Sequence, residues 1–389
     1  DVASLWQATA VPRPPVIRLA GDATCDVVVI GGGYTGLSTA KYLAERGLAP
    51  IVVEANRIGW GASGRTGGVV SGKFRVGFRD IAARHGLETA RRMHDLGIEA
   101  IEHVGRLVEE YGITAADHRA TGSLRCAYNA FTFEALKEEA AWLREALGDD
   151  AVSILSAEAV AEETGARDFV GGMLNRHGGV IHPLNFVFGF ASGVRAAGIP
   201  VHDETPVTRF RREGDGVLVE TPHGVITARQ VVIATNSYSE ITAATAPVRS
   251  SIIPFRSAMI ATAPLAGTAA AGLLATGRSY TETRRMMRWF RKSGDRLLYG
   301  GRGAFGKDDS AAAFRALETA MVRQFPELEG VAVTHRWSGL VAMTLDSLPH
   351  VGRLDDRVVY SVGYNGTGDA LSSGIGRHVA ALVAGESPD

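Results

Sequence analysis

Cysteine is nearly missing from this 389-residue chain: Cys25 and Cys126 are the two present. Two thiols build neither a disulfide framework nor a cysteine-rich metal site, and they suit a reducing compartment. Net charge is almost absent too, with 41 basic against 42 acidic side chains. No bulk positive field therefore points to nucleic acid or an anionic membrane as partner. The apolar stretch from Val27 is broken by glycines at 31, 32 and 33, and no run is long enough for a membrane span. No signal-peptide pattern is visible, and the expected location is cytoplasmic. The eleven histidines show no HExxH-like spacing and no GxSxG elbow occurs, so metal-dependent and Ser-His-Asp chemistry lack their residues.

Glycine is what the chain has in excess, 47 residues gathered in clusters, as expected where backbone works close to ligands. The first cluster stands in "CDVVVIGGGYTGLSTAKYLAERGLAPIVVEA", residues 25–55. The run 27–30 predicts a strand buried on both faces. From Tyr34 and Thr35 the period becomes helical, with Leu37, Ala40 and Ala44 on one face and Gly47 as the stop. A second strand ends on Glu54, completing a βαβ unit. At the first junction, Gly31 suits a tight turn, Gly33 lets backbone approach a pyrophosphate, and Gly36 lets helix and strand pack closely. The helix N-terminus favours phosphate, and Glu54, roughly 20 residues downstream, can accept hydrogen bonds from a ribose hydroxyl while repelling a 2'-phosphate. This pattern predicts dinucleotide binding, disfavours NADP, and leaves FAD and NAD both open.

A second glycine loop follows directly, "ANRIGWGASGRTGGVVSGKF" at 55–74. A nicotinamide dehydrogenase ordinarily continues here into another helix and strand. Instead Gly61, Gly67 and Gly68 alternate with Ala62, Ser63, Arg65 and Thr66, donors suited to a pyrophosphate or the polar edge of a flavin. Further on, "VVIATN" at 231–236 reads as a strand ending at Ala234, Thr235 and Asn236. Residues 355–385 again read strand, glycine turn, helix, the turn holding Gly363, Asn365, Gly366, Thr367 and Gly368.

Together with "WSGLVAMTLDSLPHVGRL" at 337–354, these motifs resemble the FAD-dependent D-amino-acid-oxidase-type superfamily. Within it, "SLWQATA" at 4–10 and "TETRRMMRWFR" at 281–291 are similar to the branch of gamma-glutamylputrescine oxidase-like amine oxidoreductases. The resemblance implies an α/β fold, with a Rossmann-like FAD domain of glutathione-reductase type interleaved with an antiparallel-sheet α+β substrate domain. The borders expected are 1–80, 170–245 and 335–389 for the flavin part, and 81–169 and 246–334 for the substrate part. It implies that Ala55, Arg57, Val207, Trp337 and Gly339 join the residues above around FAD. Covalent attachment in such proteins uses a loop histidine or a C-terminal-half cysteine; Arg65 stands in the loop and no cysteine lies beyond 126, so non-covalent FAD is expected. Departures are Thr66, Val69, the Asn365–Gly366–Thr367–Gly368 turn followed by Asp369, and Glu282.

No second fingerprint for a nicotinamide domain appears mid-chain, so electrons should come from the substrate. The expected reaction is oxidation of an amine C–N bond by hydride transfer to flavin N5, imine hydrolysis, and reoxidation by O2 giving H2O2. The alternatives are a D-amino-acid- or sarcosine-type dehydrogenase feeding a quinone, and a flavoprotein without turnover of its own. Lys73, soon after the second loop, is the catalytic candidate, a positive charge that favours oxygen reduction; a solvated surface lysine is the competing reading. Arg256, Arg284 and Arg302 are the candidates to meet a substrate carboxylate. No metal is expected, and a homo-oligomer is compatible with the chain. His182 is expected to cap a helix or sit in the core, and Met93, Leu96, Ile101, Val104 and Val108 to be core positions.

Overall fold

A computed structural model describes residues 4–302 and 311–386. The βαβ unit forms where its pattern predicts it, as β1 (Val27–Ile30), α1 (Tyr34–Glu45) and β2 (Pro50–Val53). Every residue of both strands is buried, the reason they carry no polar alternation. With β3 (Val201–His202), β4 (Gln230–Ile233), β5 (His350–Arg353) and β6 (Val358–Val362) they form a six-stranded sheet of order β5-β6-β4-β1-β2-β3. All pairings are parallel except the β5–β6 edge hairpin. The register sets Ile30 beside Val53 and Ile233, so the glycine turn, Glu54 and Ala234 leave the sheet together at its carboxyl edge. Open α/β sheets bind ligands at that edge.

One apolar cluster covers this sheet. It joins Leu37, Ala40 and Leu43 of α1 with Ala100, Val104 and Leu107 of α2 (Leu87–Glu110) and Phe186 and Phe190 of α3 (Pro183–Ala196). Leu371 of α4 (Gly368–Gly374) and Val379 of α5 (Gly376–Val383) complete it. Val104 is fully buried, and Met93, Leu96, Ile101 and Val108 lie half-buried against the same cluster.

The second body is an eight-stranded sheet. Its order is Val333–Met343, Ile253–Thr262, Arg296–Arg302, Arg288–Ser293, Ser279–Glu282, Ser123–Ala127, Gly171–Asn175 and Val152–Ser156. It is antiparallel apart from the pairing of Ser279–Glu282 with Ser123–Ala127. The helix Ala311–Gln324 packs Phe314, Leu317 and Met321 with Phe290, Tyr280 and Tyr299 of the sheet. Because side chains alternate along a strand, Phe290 facing this cluster sends Trp289 and Arg291 to the opposite side, toward the six-stranded body.

The expected domain borders shift in three places. Gly171–Asn175 and Val333–Met343 begin in or reach into segments assigned to the flavin part, yet both hydrogen-bond into the eight-stranded sheet. Conversely, α2 was assigned to the substrate part and buries its apolar face with α1 and α4. Periodicity reveals an apolar face but not which remote surface covers it.

A buried acid fastens α2 to the edge of the large sheet. Asp149, with a side chain 2% exposed, accepts from His94 Nε2 of α2 at 3.2 Å and from His177 Nε2 at 3.2 Å. Burial alone raises its pKa, but the His177 and His94 bonds and the Ala151 N–H overcome that and hold it well below the usual carboxylate range. The bond to Asp149 raises His94 against the opposing effect of burial. The acid's contribution is present above about pH 4, the unfolded carboxylate value, and fades as pH falls through its depressed folded pKa. The His94 contribution is complete below about pH 6.5 and is lost as pH rises through its raised folded value. Asp149→Ala is expected to destabilise the protein by about 3 kcal/mol at mildly acidic pH, since it leaves a buried charge-assisted network without its centre. Thermal melts across pH check this, and an unchanged Tm contradicts it.

Candidate active site

A cavity of about 860 Å³ opens between the two sheets at the carboxyl edge of the smaller one. Its floor is the glycine turn. Gly31 has φ +113°, and a Cβ there would lie 2.8 Å from the Ala234 carbonyl oxygen. At Gly36 an added Cβ would meet the Gly31 oxygen at 1.9 Å, so this glycine seats the helix on the turn and stands behind the cavity wall. Gly33 is the α1 N-cap and has no side chain to satisfy the first-turn N–H groups, which leaves donors for an anion. Tyr34 N donates to Ser63 Oγ at 3.2 Å, and Thr35 Oγ1 bonds Tyr364 OH at 2.6 Å. The first turn of α1 is thereby tied to both other loops.

Glu54 is oriented by two backbone donors, Gly32 N to Oε2 and Asn56 N to Oε1, each at 2.9 Å. Burial raises its pKa, which these N–H groups oppose. Each carboxylate oxygen retains a lone pair for a sugar hydroxyl. Ala55 lines the cavity beside it, whereas Arg57 turns away and pairs with Glu204 at 2.8 Å. The chain bends at Ala55 and Asn56, directly after the second strand, and Arg57 follows that bend.

The second glycine loop is gripped from behind through its carbonyls. Trp337 Nε1 donates to Arg65 O at 3.0 Å, Trp6 Nε1 to Thr66 O at 2.8 Å, and the Arg291 guanidinium to Gly68 O. In a trans peptide the N–H points opposite to the C=O, so the Gly67 N–H faces away from Trp6, toward the cavity that Gly67 lines. Trp337 is therefore a buttress in the core, T-shaped against Trp6, and not a cavity residue as expected. Gly68 likewise stands behind the wall, as does Gly363, whose N–H donates to Asn236 Oδ1 at 2.9 Å. Arg65 lines the cavity but spends its guanidinium on the carbonyls of Trp60 (2.7 Å) and Ser338 (3.4 Å).

Gly61, Ala62, Ser63, Thr66, Val207, Ala234, Thr235, Asn236, Gly339, Gly366, Thr367 and Gly368 all line the cavity. Asn365 does too, with its amide committed to Thr344: Oδ1 accepts from Thr344 N at 2.9 Å. His182 caps α3, its Nδ1 accepting from Asn185 N at 3.2 Å. Burial pushes its pKa down to about 4, so the imidazole is neutral.

Toward the large sheet the wall becomes cationic. Lys73 lines the cavity and keeps an exposed surface. Desolvation, then the charge of Arg125, lowers its pKa to about 8. Arg79 pairs with Glu138, Arg125 with Glu139, and Arg284 with Glu282 and Asp168. Arg256 bonds Ser338 Oγ at 2.8 Å. Lys73, Arg75 and Arg302 make no ion pair with any described residue, although all three line the cavity. Arg302 lies over the Phe255 ring at 5.5 Å, and burial followed by the charge of Arg302 lowers the pKa of Arg75. Sequence reasoning passed over Arg75, Trp289 and Phe255; alternation along Arg288–Ser293 is the signal that would have set Trp289 opposite the buried Phe290.

The residues present fit FAD: a floor that admits backbone-close phosphates, an oriented acid for the ribose, and a volume that runs on past the second loop to the large sheet. Trp6→Phe keeps the ring but strands the buried Thr66 carbonyl, costing about 1–3 kcal/mol. It is expected to weaken FAD binding about tenfold, measured by reconstituting apoprotein; unchanged affinity would contradict the buttress.

Comparison with known proteins agrees with this geometry. Residues 26–382 match the family described as FAD dependent oxidoreductase. The chain is 33% identical over 386 residues to gamma-glutamylputrescine oxidoreductase of Escherichia coli (strain K12), covering 99% of this chain and 89% of that one. Glycine oxidase of Bacillus subtilis (strain 168) is 23% identical, with 92% of each chain covered. Among solved structures, glycine oxidase from Geobacillus kaustophilus superposes with a TM-score of 0.79 at 22% identity, over 94% of this chain and 96% of that one. L-proline dehydrogenase from P. horikoshii superposes equally, at 0.79 and 22% identity over 95% of both. The match across nearly the whole length makes this chain a member of the FAD-dependent oxidoreductase family.

Proposed function

We propose that the protein oxidises the C–N bond of an amine that also bears a carboxylate. The observation that carries this reading is the set of three cavity cations, Lys73, Arg75 and Arg302, without a carboxylate partner among the described residues. Like charges gathered on one wall of a cavity repel one another unless an anion completes the site. The names of the relatives add support: glycine carries both groups, and gamma-glutamylputrescine oxidoreductase is named for an amine derivative.

Non-covalent FAD supplies the hydride acceptor. Neither cysteine lines the cavity: Cys126 is fully buried and Cys25 lies in the six-stranded body. Arg75 and Arg302 hold the substrate carboxylate, and the ring of Trp289, with its Nε1 committed to Met259 Sδ at 2.9 Å, presents apolar surface to the carbon stem. With the substrate entering as the neutral amine, the chain orients the reacting carbon and needs no acid–base triad. The imine product hydrolyses to a carbonyl compound and an amine or ammonia. Lys73 offers positive charge where dioxygen is reduced, giving H2O2.

The test is anaerobic titration of the yellow holoprotein with amines, amino acids and their decarboxylated analogues, followed by air. Bleaching by a carboxylate-bearing amine and rapid recovery with peroxide is the expected result. Slow recovery in air with rapid recovery on adding a quinone assigns a dehydrogenase instead, and bleaching by decarboxylated analogues alone overturns the carboxylate reading.

A further inference from the structure

Two buried cavity acids each have an oxygen without a hydrogen-bond partner, Glu282 and Asp369, and of these Glu282 has the ion pairs of Arg284 and Arg288 while Asp369 has none among the described residues. Asp369 is 7% exposed, opens α4, and lines the cavity beside the C-terminal glycine turn. Its Oδ2 accepts from Val69 N at 2.9 Å, and the nearby Thr66 hydroxyl favours its charged form. Oδ1 is buried and has no hydrogen-bond partner among the described residues. The surrounding groups do not satisfy it. Arg291, from the large sheet, attracts it but gives a hydrogen bond to Gly68 O. The Tyr34 hydroxyl of α1 donates toward Ser63 O and Pro183 O. Behind α4, α2 presents Ala100 to Gly374, and α1 presents Ser38 to Gly376 of α5, while the charges of that layer, Glu99 of α2 and Arg377 of α5, pair with each other. A buried acceptor without a donor is costly, and here the space it lines is the flavin cavity.

We propose that Asp369 is the proton acceptor coupled to the bound flavin, with Oδ1 binding a proton from solvent when the cofactor is reduced and releasing it on reoxidation. The proposal rests on FAD binding alone, not on the amine substrate. The balance is complete. The substrate C–H bond breaks, and its hydride carries two electrons and one proton to the cofactor, which gains one negative charge. One proton from water forms the Oδ1–H bond and cancels that charge. When dioxygen or a quinone removes the two electrons, the hydride's proton and the Asp369 proton leave with the reduced acceptor. Burial pushes the carboxyl up to about 6, opposed by Thr66, Val69 and Arg291, so it is ionised at neutral pH and close to accepting a proton.

The experiment is a dithionite titration of the holoprotein against indicator dyes on both sides of pH 6, comparing wild type with Asp369→Asn. Each proton taken up per two electrons changes the equilibrium tenfold per pH unit, about 30 mV. Wild type is expected to show one additional proton's slope over a window beginning near pH 6. Asp369→Asn is expected to lack that slope and to have the higher potential at alkaline pH. Parallel slopes in the two proteins overturn the proposal. Should the variant lose FAD, the reduced-minus-oxidised infrared spectrum of wild type replaces it: a protonated-carboxyl band that shifts in D2O supports the assignment, and its absence overturns it. Dithionite needs no substrate, so a wrong amine reading leaves this result intact.

Discussion

Lys73→Met slows reoxidation of the reduced protein by dioxygen about 100-fold, the size of effect seen when one preorganised charge-stabilising donor is removed, with a much smaller effect on anaerobic reduction by substrate. The expectation follows from position and surroundings. Lys73 faces the cavity with no ion pair among the described residues, and burial with Arg125 lowers its pKa to about 8. A group with its pKa near 8 loses its charge as pH rises through that value, so wild-type reoxidation falls above about pH 8, and the methionine variant is slow and flat over the same range. Stopped-flow mixing of reduced protein with aerated buffer measures both. Equal rates for the two proteins return Lys73 to the solvated-surface reading.

Arg302→Leu and Arg75→Leu lower kcat/KM for a carboxylate-bearing amine about 100-fold each, chiefly through KM. Removing one member of a buried charge-assisted contact costs about 2–5 kcal/mol, and about 2.8 kcal/mol is a factor of 100. The same variants lower activity on a decarboxylated analogue only a few-fold. Stability moves the other way. In the empty protein the Arg75 guanidinium is disfavoured by burial and then by the charge of Arg302, so removing either charge leaves Tm unchanged or raised. Steady-state kinetics on paired substrates and thermal melts of the apoprotein read the two effects separately. A uniform loss on both substrates removes the carboxylate assignment, and a large fall in Tm assigns these arginines to the fold.

Much of the cofactor half was legible because its determinants are local. Gly31, Gly33, Gly36 and Glu54 fall within one βαβ unit, whose strand and helix periods are set by side chains a few residues apart. The second loop was legible from glycine density and from the donors Ser63, Arg65 and Thr66. Its buttress was not. Trp6, Trp337 and Arg291 reach it across 60, 272 and 223 residues, and no spacing rule connects positions so far apart. For the same reason Trp337, expected in the cavity, is a donor in the core, and α2, expected with the substrate part, packs against α1.

The amino-acid order alone thus determined the glycine turn, the acid that follows the second strand and the family resemblance, because each depends on backbone conformation or chemistry within a short segment. Which charges in the cavity remain uncompensated, where Asp369 leaves an oxygen without a donor, and how three distant side chains hold three carbonyls of the second glycine loop emerged on folding. Electrostatic pairing and desolvation depend on distances between remote segments, and those distances exist only once the two sheets have closed around the same space.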